Sequence, residues 1–268
     1  MLDQTDTLPA ALPRVRKARR VSQLELSLRL GVSQRHVSFV ESGRARPSRE
    51  LLLAWLHELE APLAVRNELL LLAGYAPAYS AAPLGHPSLA QASEALDHLL
   101  RTHDPMPAMV LDADWNLLRA NRGARWLAAT LMPWAAGVPD TTPVNILDLL
   151  AHPDGFTRTL LNLEEAGPAL LAHLRQEAVG HHSLVPRVDA FAALLHAKLG
   201  AQPLHVRAVR STAPMLTVRY ATPHGELAFF STFTTFGTPH DITLASLRVE
   251  HIFAADDATR AVLASQVP

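Results

Sequence analysis

The chain has 268 residues, 49% of them hydrophobic, with no cysteine and a net charge of −1. Its length exceeds the usual single-domain size of about 100 to 200 residues and favours two domains, while the missing cysteines exclude disulfides, thiolate zinc sites, iron–sulfur clusters and cysteine nucleophiles. The near-neutral total hides an asymmetry: from Arg14 to Arg49 there are ten Lys or Arg against two Glu, a net of +8, so the remainder carries −9, the balance expected of a nucleic-acid module joined to another body.

The opening MLDQTDTLPA has neither a basic nor an apolar leader region, and no apolar run approaches the roughly 18 residues of a membrane span, so a cytoplasmic protein is expected. A first helix is placed at Pro13 to Arg20, because proline is tolerated at the first helical position. Ser22 is an N-cap, and Glu25 three residues later completes a capping box. Leu24 and Leu28, with Leu26, are assigned to the inner face of this second helix, and Gly31 ends it in the left-handed conformation. Ser33 caps a third helix whose inner face is Val37, Val40 and either Phe39 or His36, and Ser42-Gly43 stops it. Ser48 caps a fourth, ELLLAWLHEL, and AVRNELLLLAG forms a fifth.

Two short helices joined by a glycine turn form a helix-turn-helix, whose second helix fits a major groove about 12 Å wide. Ser33, Gln34, Arg35 and Ser38 occupy its outward positions. Gln and Arg pair bidentately with adenine and guanine edges, so these types fit direct readout. Arg44, Arg46 and Ser48 lie where phosphates would be gripped, and Gln23 is placed to contact the backbone or to buttress Gln34. A solvated helical hairpin with an ordinary basic face is the alternative. The G-V-S turn and the E-x-G-R-x-x-P-S tail resemble the XRE-type, lambda-repressor-like helix-turn-helix family, which implies a five-helix DNA-binding domain.

YAPAYSAAPLGHPS lacks charge and breaks the helical period, which sets a linker at 76–88 between domains at 8–75 and 89–268. SLAQASEALDHLLRTHD reads as an amphipathic helix with Leu89, Ala92, Leu96, Leu99 and Leu100 on one side. A strand (Ala108 to Leu111), a turn (Asp112 to Asp114), a second strand (Trp115 to Ala120) and a helix from Asn121 resemble the opening of a PAS-like domain. The middle is helical in NILDLLAHP, NLEEAGPALLAHLRQEA and VDAFAALLHAKLG. Alternation of period two in HVRAVR, MLTVRYA, ELAFFSTFTTF and ITLASLRVEHIF predicts antiparallel strands, with a hairpin at Pro223 to Gly225 and a closing helix in DDATRAVLAS.

RHVSFVESGRARPSRE, NELLLLAGYAP, PVNILDLLAHPDG and FGTPHDITLASLRVEHIFAADDAT, in that order, resemble the MmyB-like transcription regulators. That resemblance implies an N-terminal five-helix domain followed by a PAS-like α+β domain with an antiparallel sheet that holds a small apolar ligand, a fatty acid being the family's best-supported example. A carboxylate would need a cation or several donors. Asn145, His152, Arg158 and Arg219 are the candidates, although each also fits a cap, turn or surface role. Aromatic residues such as Trp126, Phe191 and Phe229 read first as core.

The sequence contains no GxSxG, HExxH, P-loop or GxGxxG after a strand. Adjacent His181 and His182 point in different directions and lack metal-ligand spacing, and Asp112 and Asp114 fit a turn better than an acid pair. No catalytic residue, metal or cofactor is expected. The expectation is a DNA-binding regulator acting as a homodimer on a palindromic operator, since one small head reads few base pairs and two heads about 34 Å apart read a symmetric site. A DNA-binding protein whose second domain serves only dimerisation or protein contacts is the alternative.

Overall fold

The computed structural model describes residues 7–137, 142–200 and 215–267. They form two compact units, the first running through Pro83 and taking in Thr238–Ala245, the second comprising Leu84–Gly237 and Ser246–Pro268. Among the described residues no helix is long and apolar enough to cross a membrane.

The first unit contains α1 (Leu8–Ala18), α2 (Gln23–Leu30), α3 (Gln34–Glu41), α4 (Arg49–Glu58) and α5 (Leu63–Leu72). Ser22, Ser33 and Ser48 each accept a hydrogen bond from the backbone N–H three residues on, at 3.0, 3.1 and 3.1 Å, so the three serine caps set the starts of α2, α3 and α4. Gly31 ends α2 with φ +67, which a side-chain-bearing residue adopts only at a cost. Two expectations fail here. Helix α1 begins at Leu8, with Pro13 inside it, because Leu8, Ala11 and Leu12 join the core around Leu26, Val37, Trp55 and Leu69 and outweigh the proline. In α2 it is Leu26 that is buried, whereas Leu24 and Leu28 are exposed; a helix of two turns with leucine at every second position leaves the inner face undecided until its neighbours are in place.

The expected linker is hydrogen-bonded to the first unit as far as Ala82. Asn67 accepts from the N–H groups of Ala78 and Tyr79 at 2.9 and 3.1 Å and donates to the Tyr79 carbonyl at 2.7 Å. The Ser80 hydroxyl then donates to Asp241, and the N–H of Ile242 donates to the Ser80 carbonyl at 2.8 Å. Asp241 also accepts from the Thr243 N–H at 2.8 Å, capping a short helix α11 (Ile242–Ser246). ITLAS is therefore helical, not the start of a strand, because the carboxylate before it satisfies the first free N–H groups of a helical turn.

The second unit opens with α6 (Ala90–His103), which buries Leu96 and Leu100 but leaves Leu99 exposed. It continues with β1 (Ala108–Leu111), β2 (Leu117–Ala120), α7 (Arg122–Leu131), α8 (Ile146–Ala151), α9 (Leu163–Gly180), α10 (Val185–Leu199), β3 (Val218–Thr222), β4 (Gly225–Thr235), β5 (Arg248–Ala254) and α12 (Asp257–Gln266). The strands form one antiparallel sheet in the order β2-β1-β5-β4-β3. The hairpin at Pro223 to Gly225 closes on the pair Thr222 and Gly225. HVRAVR lies outside the described residues. Val218, Tyr220, Leu227, Phe229, Ile252 and Ala254 pack in one cluster, consistent with ladder partners projecting to the same face. A second cluster, centred on Leu171, Leu174, Phe191 and Leu195, holds α9 and α10 together.

Candidate functional site

In the first unit the start of α3 presents Gln34 and Arg35 to solvent, with Ser38 half-buried one turn on. Ser33 spends its side-chain acceptor on the α3 cap and Ser48 on the α4 cap; both residues are exposed, and the Ser48 side chain also hydrogen-bonds to the Glu50 carboxylate. The Arg35 guanidinium lies 5.0 Å from the centre of the Phe39 ring and that of Arg44 lies 5.8 Å from it. Phe39 also fixes the chain after the helix, its carbonyl accepting from the N–H groups of Arg44 and Ala45 at 2.8 and 3.1 Å. One ring thus organises two cations from different segments, a role that the choice between Phe39 and His36 as core residue did not reveal.

Gln23 is joined to Glu41, not to Gln34: its amide donates at 2.7 Å to a carboxylate that also takes two bonds from Arg16, at 2.7 and 2.8 Å. Arg16 and Glu41 are both buried. Hydrogen bonding to Glu41 holds the Arg16 pKa above its ordinary value against burial, which acts to lower it. The pair links α1 to α3 and orients the first residue of α2. Arg46 is committed elsewhere. Its guanidinium donates to the Ala73 carbonyl at 2.5 Å and lies 5.2 Å from the Tyr75 ring. Any Cβ at Gly74 would approach it to 2.8 Å. Of the two arginines that follow α3, only Arg44 is exposed without such a tie to α5.

In the second unit a narrow apolar cavity of about 30 Å³ lies between α9, α10, β3 and the segment after α8. Leu150, Phe156, Leu163, Leu170, Phe191 and Val218 form its walls, and Thr157 and Tyr220 supply the polar side-chain atoms. Ligand pockets commonly span about 300 to 1,000 Å³, so this shape accommodates a molecule only if a wall moves. Helix α9 supplies a wall, with Gly167 and Pro168 in its second turn. Proline there removes one helical hydrogen bond, and a Cβ on Gly167 would stand 2.7 Å from a Leu195 methyl, so α9 and α10 are in close contact where the hydrogen-bond ladder of α9 is interrupted.

None of the four sequence candidates lines this cavity. Asn145 caps α8 and donates to the Asp114 carbonyl at 2.7 Å. His152 stacks on Trp134 at 4.7 Å, Arg158 faces Asp154 at 3.9 Å and Arg219 pairs with Glu226 at 3.1 Å. Burial raises the Tyr220 hydroxyl far above its ordinary pKa, and the nearby Glu250 adds to the rise; Tyr220 is a neutral donor here. In the last turn of α9, Glu177 accepts from Arg248 at 2.8 Å and from the Trp115 indole at 2.9 Å. Burial pushes Glu177 up, yet the Arg248 bond and charge, with Trp115 and His173, hold it below the ordinary carboxylate value.

Comparison with known families matches residues 14–65 to a model described as helix-turn-helix. Residues 92–265 match one described as MmyB-like transcription regulator ligand binding domain. Comparison with curated proteins found no match.

Proposed function

We propose, from the premise that the chain belongs to the MmyB-like transcription regulators, that it reads a palindromic operator as a homodimer and that a fatty acid in its second unit controls that binding. A DNA-binding transcription regulator with a ligand-binding domain is what the two family matches show; the operator symmetry, the dimer and the fatty acid are the proposal. The observation that carries the readout is the pair of cations on Phe39, set beside the exposed Gln34 at the start of a capped helix. In this reading Gln34, Arg35 and Ser38 address base edges, Arg44 with the Ser33 and Ser48 hydroxyls grips phosphates, and Gln23 and Arg46 hold the reading surface in place. The strand order β2-β1-β5-β4-β3, with an apolar cavity lined by β3, α9 and α10, supports a PAS-like reading of the ligand-binding domain. A cytoplasmic location follows from a DNA target.

The test is binding to an operator selected from random duplexes and to a scrambled duplex. Arg35→Ala should cost about 1 to 3 kcal/mol on the operator and relax one base position. Arg44→Ala should weaken both duplexes alike and lower the salt slope by about one. Equal losses on both duplexes for Arg35→Ala would contradict the assignment.

A further inference from the structure

Lys198, in the last turn of α10, sits beside the cavity of the second unit. Its ammonium donates to the carbonyl and to the hydroxyl of Thr157, both at 3.2 Å. Thr157 is 3% exposed and its side chain forms part of the cavity wall, whereas Lys198 itself is exposed. Among the described residues no carboxylate pairs with this ammonium, and two of its three protons are used by the bonds to Thr157. The cavity therefore has a cation at its rim and hydrocarbon along its walls.

We propose that Lys198, with Thr157, holds the anionic head of an amphipathic monocarboxylate whose hydrocarbon tail enters among Phe156, Leu163, Leu170 and Phe191 as a wall of the narrow cavity moves outward. This rests on the reading that the second unit binds an apolar ligand. A carboxylate transferred into apolar surroundings loses its hydration and is tolerated only where a cation or donors replace it. Lys198 supplies that charge at a point still open to water, where desolvation of the head is incomplete and its cost small. The β3 part of the wall disfavours it. At Tyr220 burial and the neighbouring Glu250 both act against negative charge, and Glu250 is itself pushed up by burial. Head outward at Lys198 and tail inward is the orientation that the cation at the rim and the hydrocarbon of the walls select. A purely structural Lys198, tying α10 to the segment that carries Thr157, would give the same hydrogen bonds, so the test must separate the charge from the tie.

The experiment is calorimetric titration of the full chain with dodecanoic acid and with dodecan-1-ol, which share a tail and differ in head charge. Lys198→Met should weaken dodecanoate about ten- to a hundredfold, the range of one lost charge-assisted bond. It should leave dodecanol within about twofold, and Lys198→Arg should keep most of the acid's affinity. Equal weakening of acid and alcohol, or no change in either, would overturn the role of Lys198 while leaving the apolar-ligand reading intact. Failure of the wild-type chain to bind either compound would overturn both.

Discussion

The guanidinium of Arg35 and the ring of Phe39 face one another at 5.0 Å across one turn of α3. With Arg44 at 5.8 Å on the same ring, the two cations are held, among the described residues, without an acid that a phosphate would have to displace. Exposed cation–π contacts contribute about 0.5 to 1 kcal/mol each. Phe39→Leu should therefore weaken operator binding about three- to tenfold, and Phe39→Tyr should restore it. Fluorescence anisotropy on the operator measures the loss, and an unchanged melting temperature separates it from misfolding.

Arg16 and Glu41 make the buried ion pair that seats α3 against α1. Glu41→Gln leaves a buried guanidinium without its counter-charge, and breaking such a pair from one side costs about 3 to 5 kcal/mol. The urea midpoint of the head should fall accordingly. Replacing both partners, as Arg16→Met with Glu41→Leu, should recover much of the loss, because neither charge is then stranded.

Glu177 carries a pH dependence whose sign follows from its environment. Its pKa lies below the ordinary 4.5 in the folded chain, so the unfolded chain binds the proton more readily. The stabilisation is present above the ordinary value and disappears as pH falls through the depressed one. Glu177→Gln should remove this acid-side slope and lower stability at neutral pH by about 1 to 2 kcal/mol, a modest figure because the site is partly open to water. Thermal melts between pH 3 and pH 7 measure both effects.

Much of the architecture was legible because it is written in local chemistry. Ser22, Ser33, Ser48, Asn121 and Asp256 each announce a helix start by side-chain type and do cap one. Alternation located β3, β4 and β5. What failed depended on distant partners. Nothing near Pro13 says that Leu8 and Leu12 are needed in a core with Trp55 and Leu69, and ITLAS alternates like a strand until Asp241 caps it. The cavity was illegible for the same reason: Phe156, Leu163, Phe191 and Val218 come from four segments. Lys198 carries no local mark until Thr157 is placed beside it, whereas Asn145 and His152 stand at helix ends that the sequence itself marks.

In the proposed function, DNA binding by the first unit responds to an apolar ligand in the second. A ligand shifts an equilibrium only by its different affinities for the states it connects. The most direct measurement is operator affinity of the full chain with and without saturating dodecanoic acid at fixed salt. The account predicts a change of about fivefold or more, with a reciprocal change in fatty-acid affinity when operator is bound first. Saturated fatty-acid binding with operator affinity unchanged would contradict it.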